Sequence, residues 1–160
     1  MNNEIYLSGI NYESFVDGNG VRTAFYISGC NHKCKGCHNE ETWDFKHGQL
    51  ITDSLINEIN TEIKKRPYLS GITITGGDPM YSSSGVVELL KKLYIPKNNI
   101  WLYTGFELHE LCNFAKDNPD IYELLGMINV LVDGPYIEGM RTTTQPFIGS
   151  SNQIIHNLKI

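Results

Sequence analysis

Four short stretches of β-branched, aromatic and aliphatic residues recur along this chain, and segments with helical periodicity lie between them. Residues 23–28 (TAFYIS), 71–75 (GITIT), 100–103 (IWLY) and 128–132 read as strands, the last of them as one buried on both faces. Between them, Leu55, Ile56, Ile59 and Ile63 share one helical face of residues 52–65, with Thr52 or Asp53 placed to cap its start. Val86, Val87, Leu90 and Leu93 point inward from a helix over 84–93, and Leu108, Leu111, Cys112 and Ala115 from one over 106–116. Strands alternating with helices imply parallel βαβ units with right-handed crossovers. The 160 residues are too few for a complete eight-fold barrel, which takes about 250. The expected fold is therefore α/β: a shortened open (β/α) partial barrel with a mostly parallel sheet, one domain over residues 1–160.

This topology carries a prediction about the site. Parallel α/β sheets bind ligands beyond the carboxyl ends of their strands. The cysteine-rich loop 28–39 (SGCNHKCKGCHN), Gly76-Gly77-Asp78-Pro79, Thr104-Gly105 and Asp133-Gly134 each follow a predicted strand. All four should meet on one rim of the sheet.

The loop contains three of the chain's four cysteines, Cys30, Cys34 and Cys37. The start, MNNEIYLSGINYESF, lacks the basic and apolar regions of a signal peptide, and no stretch approaches the length of a membrane span. A cytoplasmic location is expected, where clustered thiols serve metals or catalysis more often than disulfides. With 18 acidic against 13 basic residues and no Lys/Arg run, nucleic acid is not an expected partner. Two readings of the thiols remain open on spacing. A structural zinc site wants four ligands, so it needs one more from His32, His38, His47 or Cys112. A [4Fe–4S] cluster held by three thiolates leaves one iron open for a substrate. The C-x3-C-x2-C spacing is not the paired C-x2-C of zinc ribbons. Cys112, on an apolar helical face, is expected to be a small buried hydrophobe.

C-x3-C-x2-C after a first strand, followed by Gly-Gly-acidic-Pro after a second, resembles the radical S-adenosylmethionine (SAM) superfamily. Within it the chain is similar to the glycyl-radical activases that serve anaerobic ribonucleoside-triphosphate reductases. The matching segments run in family order from Phe15-Val16-Asp17-Gly18-Asn19-Gly20-Val21-Arg22, through Cys34-Lys35-Gly36-Cys37-His38-Asn39 and Thr42-Trp43, to Gly149-Ser150-Ser151-Asn152-Gln153. Other small radical SAM enzymes, the pyruvate formate-lyase activases and the deazaguanine synthases, are the nearest rivals. From other classes come a non-catalytic zinc-stabilised module and a simple electron carrier.

The resemblance implies a partial barrel of the radical SAM type and a cluster on Cys30, Cys34 and Cys37, with SAM on the fourth iron. One electron would release methionine and a 5′-deoxyadenosyl radical. That radical would take a hydrogen atom from a glycine of the reductase's large subunit. A flavodoxin- or ferredoxin-type donor is implied as well. Gly36, Cys37, His38, Gly76, Gly77, Asp78, Thr104 and Asp133 are the implied cofactor-binding residues, the two glycines by letting backbone approach the methionine moiety. Asn152 and Gln153 would line the site or satisfy local backbone. Tyr136, Phe147 and Trp43 are candidates for partner docking or for ordinary packing. The chain departs from the family pattern at Gly36 and His38, where relatives carry an aromatic residue on one side of the third cysteine, and at Ile148, where an arginine is usual.

Overall fold

The computed structural model describes residues 3–159. Seven strands form one sheet: β1 (Tyr6–Ser14), β2 (Arg22–Ile27), β3 (Gln49–Leu50), β4 (Gly71–Gly76), β5 (Ile100–Tyr103), β6 (Val130–Asp133) and β7 (Ile154–Asn157). Their order is β3-β1-β2-β4-β5-β6-β7. The four central strands β2, β4, β5 and β6 are parallel. β1 and β3 extend one side and β7 the other, all antiparallel to their neighbours. The helices are α1 (Asp53–Lys64), α2 (Ser83–Lys92), α3 (Leu108–Phe114) and α4 (Pro119–Met127). The four strands and three helices expected from the sequence are present, with ends shifted by a few residues. β1, β3, β7 and α4 are additions. Among the described residues no helix is long and apolar enough to cross a membrane.

The register explains why one face of the sheet takes helices and the other does not. Phe25, Ile74, Leu102 and Leu131 stand side by side across β2, β4, β5 and β6. They join one apolar cluster with Ile56, Ile59 and Ile63 of α1, Val86, Val87 and Leu90 of α2, Leu111 of α3 and Leu124 of α4. Thr52 caps α1 by accepting from the Leu55 N–H at 3.1 Å. The alternate residues (Arg22, Tyr26, Thr73, Thr75, Trp101 and Tyr103) lie on the opposite, helix-free face. Here a smaller cluster of Trp101, Val130 and Val132 is covered by Phe147 and Ile148. Ile148, at a position where arginine is usual in the resembling family, is thus a packing residue.

Arg22 shows how the segment 15–22 is held at the amino-terminal ends of the strands. Its side chain is 1% exposed. It donates to Thr73 Oγ1 at 3.0 Å, Asn19 O at 3.0 Å, Ile72 O at 2.9 Å and Asn99 Oδ1 at 2.6 Å. Neutral oxygens therefore offset the desolvation of this charge. Arg22→Met leaves several buried acceptors unpaired and is expected to cost about 3–5 kcal/mol. Urea unfolding at unchanged m-value measures this, and a loss below about 1 kcal/mol would show the network to be incidental.

Cys112 departs from the expected burial. The seven-residue α3 docks through Leu111 and, partly buried, Leu108, and Cys112, one position beyond Leu111, is exposed.

Candidate active site

The cysteine loop begins where β2 runs out of sheet. Beyond Ile27, Ser28 N–H bonds to Tyr6 O at 2.9 Å and Gly29 N–H to Thr42 O at 2.6 Å. A second tie runs from Asp78 N–H to Gly29 O at 2.9 Å. The chain then turns through Lys33 at φ 53° and Gly36 at φ 79°. Cys37 N–H closes a turn on Cys34 O at 3.1 Å. All three thiols are free, Cys30 buried and Cys34 and Cys37 half-buried.

They line a cleft of about 230 Å³ at the carboxyl ends of the parallel strands. Gly76 and Gly77 from β4, Thr104 and Gly105 after β5, and Gly134 after β6 line it too. The expected convergence on one rim is what the fold produces. His38, Trp43, Tyr136 and Gln153 are also in the wall. The rings of His38 and Tyr136 stand 5.7 Å apart. Phe147 is elsewhere, edge-on to Trp101 at 5.4 Å.

Burial pushes the Cys30 thiol up to about 11, and Asp78 and Cys34 add to this, while the backbone amides of His32 and Lys33 act against it. The Asn39 N–H donates to Cys37 Sγ at 3.4 Å, a contact that suits a sulfur carrying negative charge.

The glycines have a reason for being glycine that the sequence did not show. Gly76 has φ 106°, and a Cβ there would lie 2.4 Å from Ile27 N. A Cβ on Gly77 would lie 2.7 Å from Gly29 O and 2.8 Å from Thr42 O. The neighbours are backbone of β2 and of the cysteine loop, so close chain approach already excludes a side chain.

Two acids stand back from the cleft. Asp78 lies beneath it, 1% exposed. Its carboxylate accepts from Thr104 Oγ1 and from Gly105 N–H at 2.9 Å, and from Met80 N–H at 3.0 Å. Asp133 faces a neighbouring groove of about 1010 Å³ between α3 and β7, which Cys112 also lines. It accepts from Leu108 N–H at 2.7 Å, at the start of α3. His156 Nε2 is at ion-pair distance from it, 3.0 Å, without hydrogen-bond geometry. Asn152 lines that groove and donates to Pro135 O at 2.8 Å. Gln153 donates to Gly134 O at 3.0 Å and accepts from Gly149 N–H at 2.8 Å, closing the far wall.

Of the side chains weighed as a fourth metal ligand, His32 is bonded to Asp78 at 2.6 Å and His47 Nδ1 lies 3.0 Å from Ser8 Oγ. Cys112 faces the other groove. His38 borders the cleft, directly after Cys37 in the chain.

A cleft on the strand-end rim lined by three free thiols from one loop suits an iron–sulfur cluster, and the model of the 4Fe–4S single cluster domain matches residues 16–156. The chain belongs to the family of anaerobic ribonucleoside-triphosphate reductase-activating proteins. It is 35% identical over 153 residues to the one from Escherichia coli K12, covering 90% of this chain and 93% of that protein. Identity to the Vibrio cholerae protein is 36% over 154 residues, covering 91% and 93%. For the protein of enterobacteria phage T4 it is 35% over 144 residues, covering 87% and 85%.

Proposed function

We propose that this protein is a radical SAM enzyme that generates a glycyl radical on the large subunit of an anaerobic ribonucleoside-triphosphate reductase. The observation that carries this reading is the donor set: three thiols from one loop on one cleft, facing a rim of glycine backbone. When bound, the cluster and SAM supply one-electron cleavage of the sulfonium C–S bond and a hydrogen-atom acceptor, 5′-deoxyadenosyl. Cys30, Cys34 and Cys37 would hold the cluster.

The chain's own residues position and shield. Gly76 and Gly77 present main-chain groups to the methionine end of SAM. Thr104 and Gly105 border the same wall. His38 with Tyr136 offers a ring surface for adenine. Gly134, Gly149 and Gln153 bound the side on which a glycine-bearing segment of the reductase enters. The helix-free face of the sheet fits a shortened (β/α) barrel of the radical SAM type, whose open side admits such a segment. A flavodoxin- or ferredoxin-type protein would deliver the electron, in the cytoplasm.

The test is anaerobic. The protein is loaded with iron and sulfide, reduced with dithionite and given SAM, with and without the reductase. Methionine and 5′-deoxyadenosine in equal amounts are expected, with a glycyl radical signal when the reductase is present. An intact, reducible cluster that cleaves no SAM even with the reductase would exclude the radical SAM reading. One tightly held zinc and no iron would exclude the iron–sulfur site itself.

A further inference from the structure

His32 stands between Cys30 and Cys34 in the chain and lines the cleft, with its ring bonded to Asp78. Its Nε2 lies 2.6 Å from Asp78 Oδ2. The histidine side chain is 17% exposed and the aspartate 1%. The same carboxylate holds Thr104 Oγ1 and Gly105 N–H, both at 2.9 Å. One buried group therefore joins the cysteine loop to the ends of β4 and β5. The imidazole also packs edge-on to Phe106 at 4.5 Å and tilted to Tyr81 at 5.1 Å. A Cβ on Gly105 would come within 2.7 Å of it, so position 105 has no room for a side chain while the ring is docked.

The rest of that loop segment is loosely held. Asn31 and Lys33 are exposed, and Lys33 has φ 53°. Among the described residues the backbone of 31–33 makes no hydrogen bond to another strand or helix. Cys30 is tied down by its own N–H to Trp43 O at 3.4 Å and by the bonds of Ser28 and Gly29, and Cys37 by the turn on Cys34. The three residues linking Cys30 to Cys34 depend on the His32 side chain.

We propose that His32, Asp78 and Thr104 form a latch that positions the cysteine loop, fixing the 31–33 backbone beside Cys30 and setting the spacing from Cys30 to Cys34. His32 and Asp78 are then positioning residues for the iron–sulfur site, their side chains engaged with each other rather than with a metal. The latch rests on the iron–sulfur reading of the three thiols and is independent of SAM cleavage. Backbone N–H groups aimed at a cluster sulfur favour the reduced, more negative state. Loosening the latch therefore shifts the cluster potential to more negative values.

The test compares the wild-type protein with His32→Phe, which keeps a ring in the Phe106–Tyr81 pocket but lacks the donor, and His32→Gln, which keeps a donor. Two readouts are used: amide hydrogen exchange of residues 31–36 in the apo-protein, and the cluster midpoint potential from an electron paramagnetic resonance titration. In His32→Phe, exchange should accelerate by about tenfold, the effect of losing one hydrogen bond to a charged group. The potential should move negative, and His32→Gln should recover most of both changes. A folded His32→Phe protein with wild-type exchange and wild-type potential would overturn the proposal. Should His32→Phe not fold, Thr104→Val removes the hydroxyl that donates to Asp78 and accepts from the Phe106 N–H at 3.2 Å. It should move both readouts in the same direction by less, and no movement would overturn the proposal equally. Intact latch readouts in a protein that cleaves no SAM would sink the SAM reading and leave the latch standing.

Discussion

Alanine at Cys30, Cys34 or Cys37, one at a time, is expected to remove stable cluster binding and abolish SAM cleavage, whereas Cys112→Ala leaves both at wild-type levels. The three loop cysteines line one cleft, while Cys112 is exposed on α3 over a separate groove. Iron and sulfide content, visible absorbance and 5′-deoxyadenosine yield, all measured anaerobically, check the result. The expected loss of turnover is complete because no other thiol lines this cleft. His38 is the one histidine at the cleft that is bonded to no other side chain, and as the residue after Cys37 it has little reach to a different iron. A Cys112 variant that loses iron, or a loop-cysteine variant that retains it, would reverse the ligand assignment.

Gly76→Ala is expected to lower the stability of the apo-protein itself, by about 2–6 kcal/mol, combining backbone strain at positive φ with overpacking. Position 76 has φ 106°, and its new methyl group would meet Ile27 N at 2.4 Å and Ile27 O at 2.6 Å. The parallel pairing of Ile27 with Gly76 has no slack for that displacement. At this chain length each kcal/mol lowers the melting temperature by roughly 2–4 °C. A fall of order ten degrees without cluster or SAM present is therefore the expected reading. If the glycine served only to admit a ligand, apo stability would be unchanged and SAM binding alone would suffer. Gly77→Ala separates the contributions, because position 77 carries the contact with Gly29 and Thr42 without positive φ.

The central strands were readable because apolar and β-branched residues dominate them and glycine turns end them. The outer strands were not. β1 (YLSGINYES) mixes Gly, Ser and Asn with its apolar residues, and the exposed IIHN of β7 is too short to show alternation. Both exist because they pair with β2 and β6, a condition outside their own residues. α4 carried a legible signal: Asn118 before Pro119 caps it by accepting from the N–H groups of Asp120 and Ile121, and Ile121 and Leu124 face the core. The inward face of α3 is narrower than its apolar pattern: Leu111 is buried and Leu108 packs against the core, while Cys112 lies exposed outside that contact.

The site divides along the same line. The three thiols, the Gly-Gly turn and Thr104-Gly105 converge on one rim because each follows a parallel strand, and strand direction is encoded in the alternation of strands and helices. Which side a polar group faces is encoded nowhere locally. Asp78 follows Gly77 in the chain, yet its carboxylate turns beneath the cleft to His32, 46 residues away, and to Thr104, 26 residues away. Asp133 ends β6 as expected and is drawn to the first turn of α3 by the Leu108 N–H. Spacing along the chain thus sufficed to nominate the thiols, because metal-ligand cysteines act within one loop. The partners of the buried acids depended on packing, because a carboxylate taken out of water goes to whichever donors the assembled elements bring within reach.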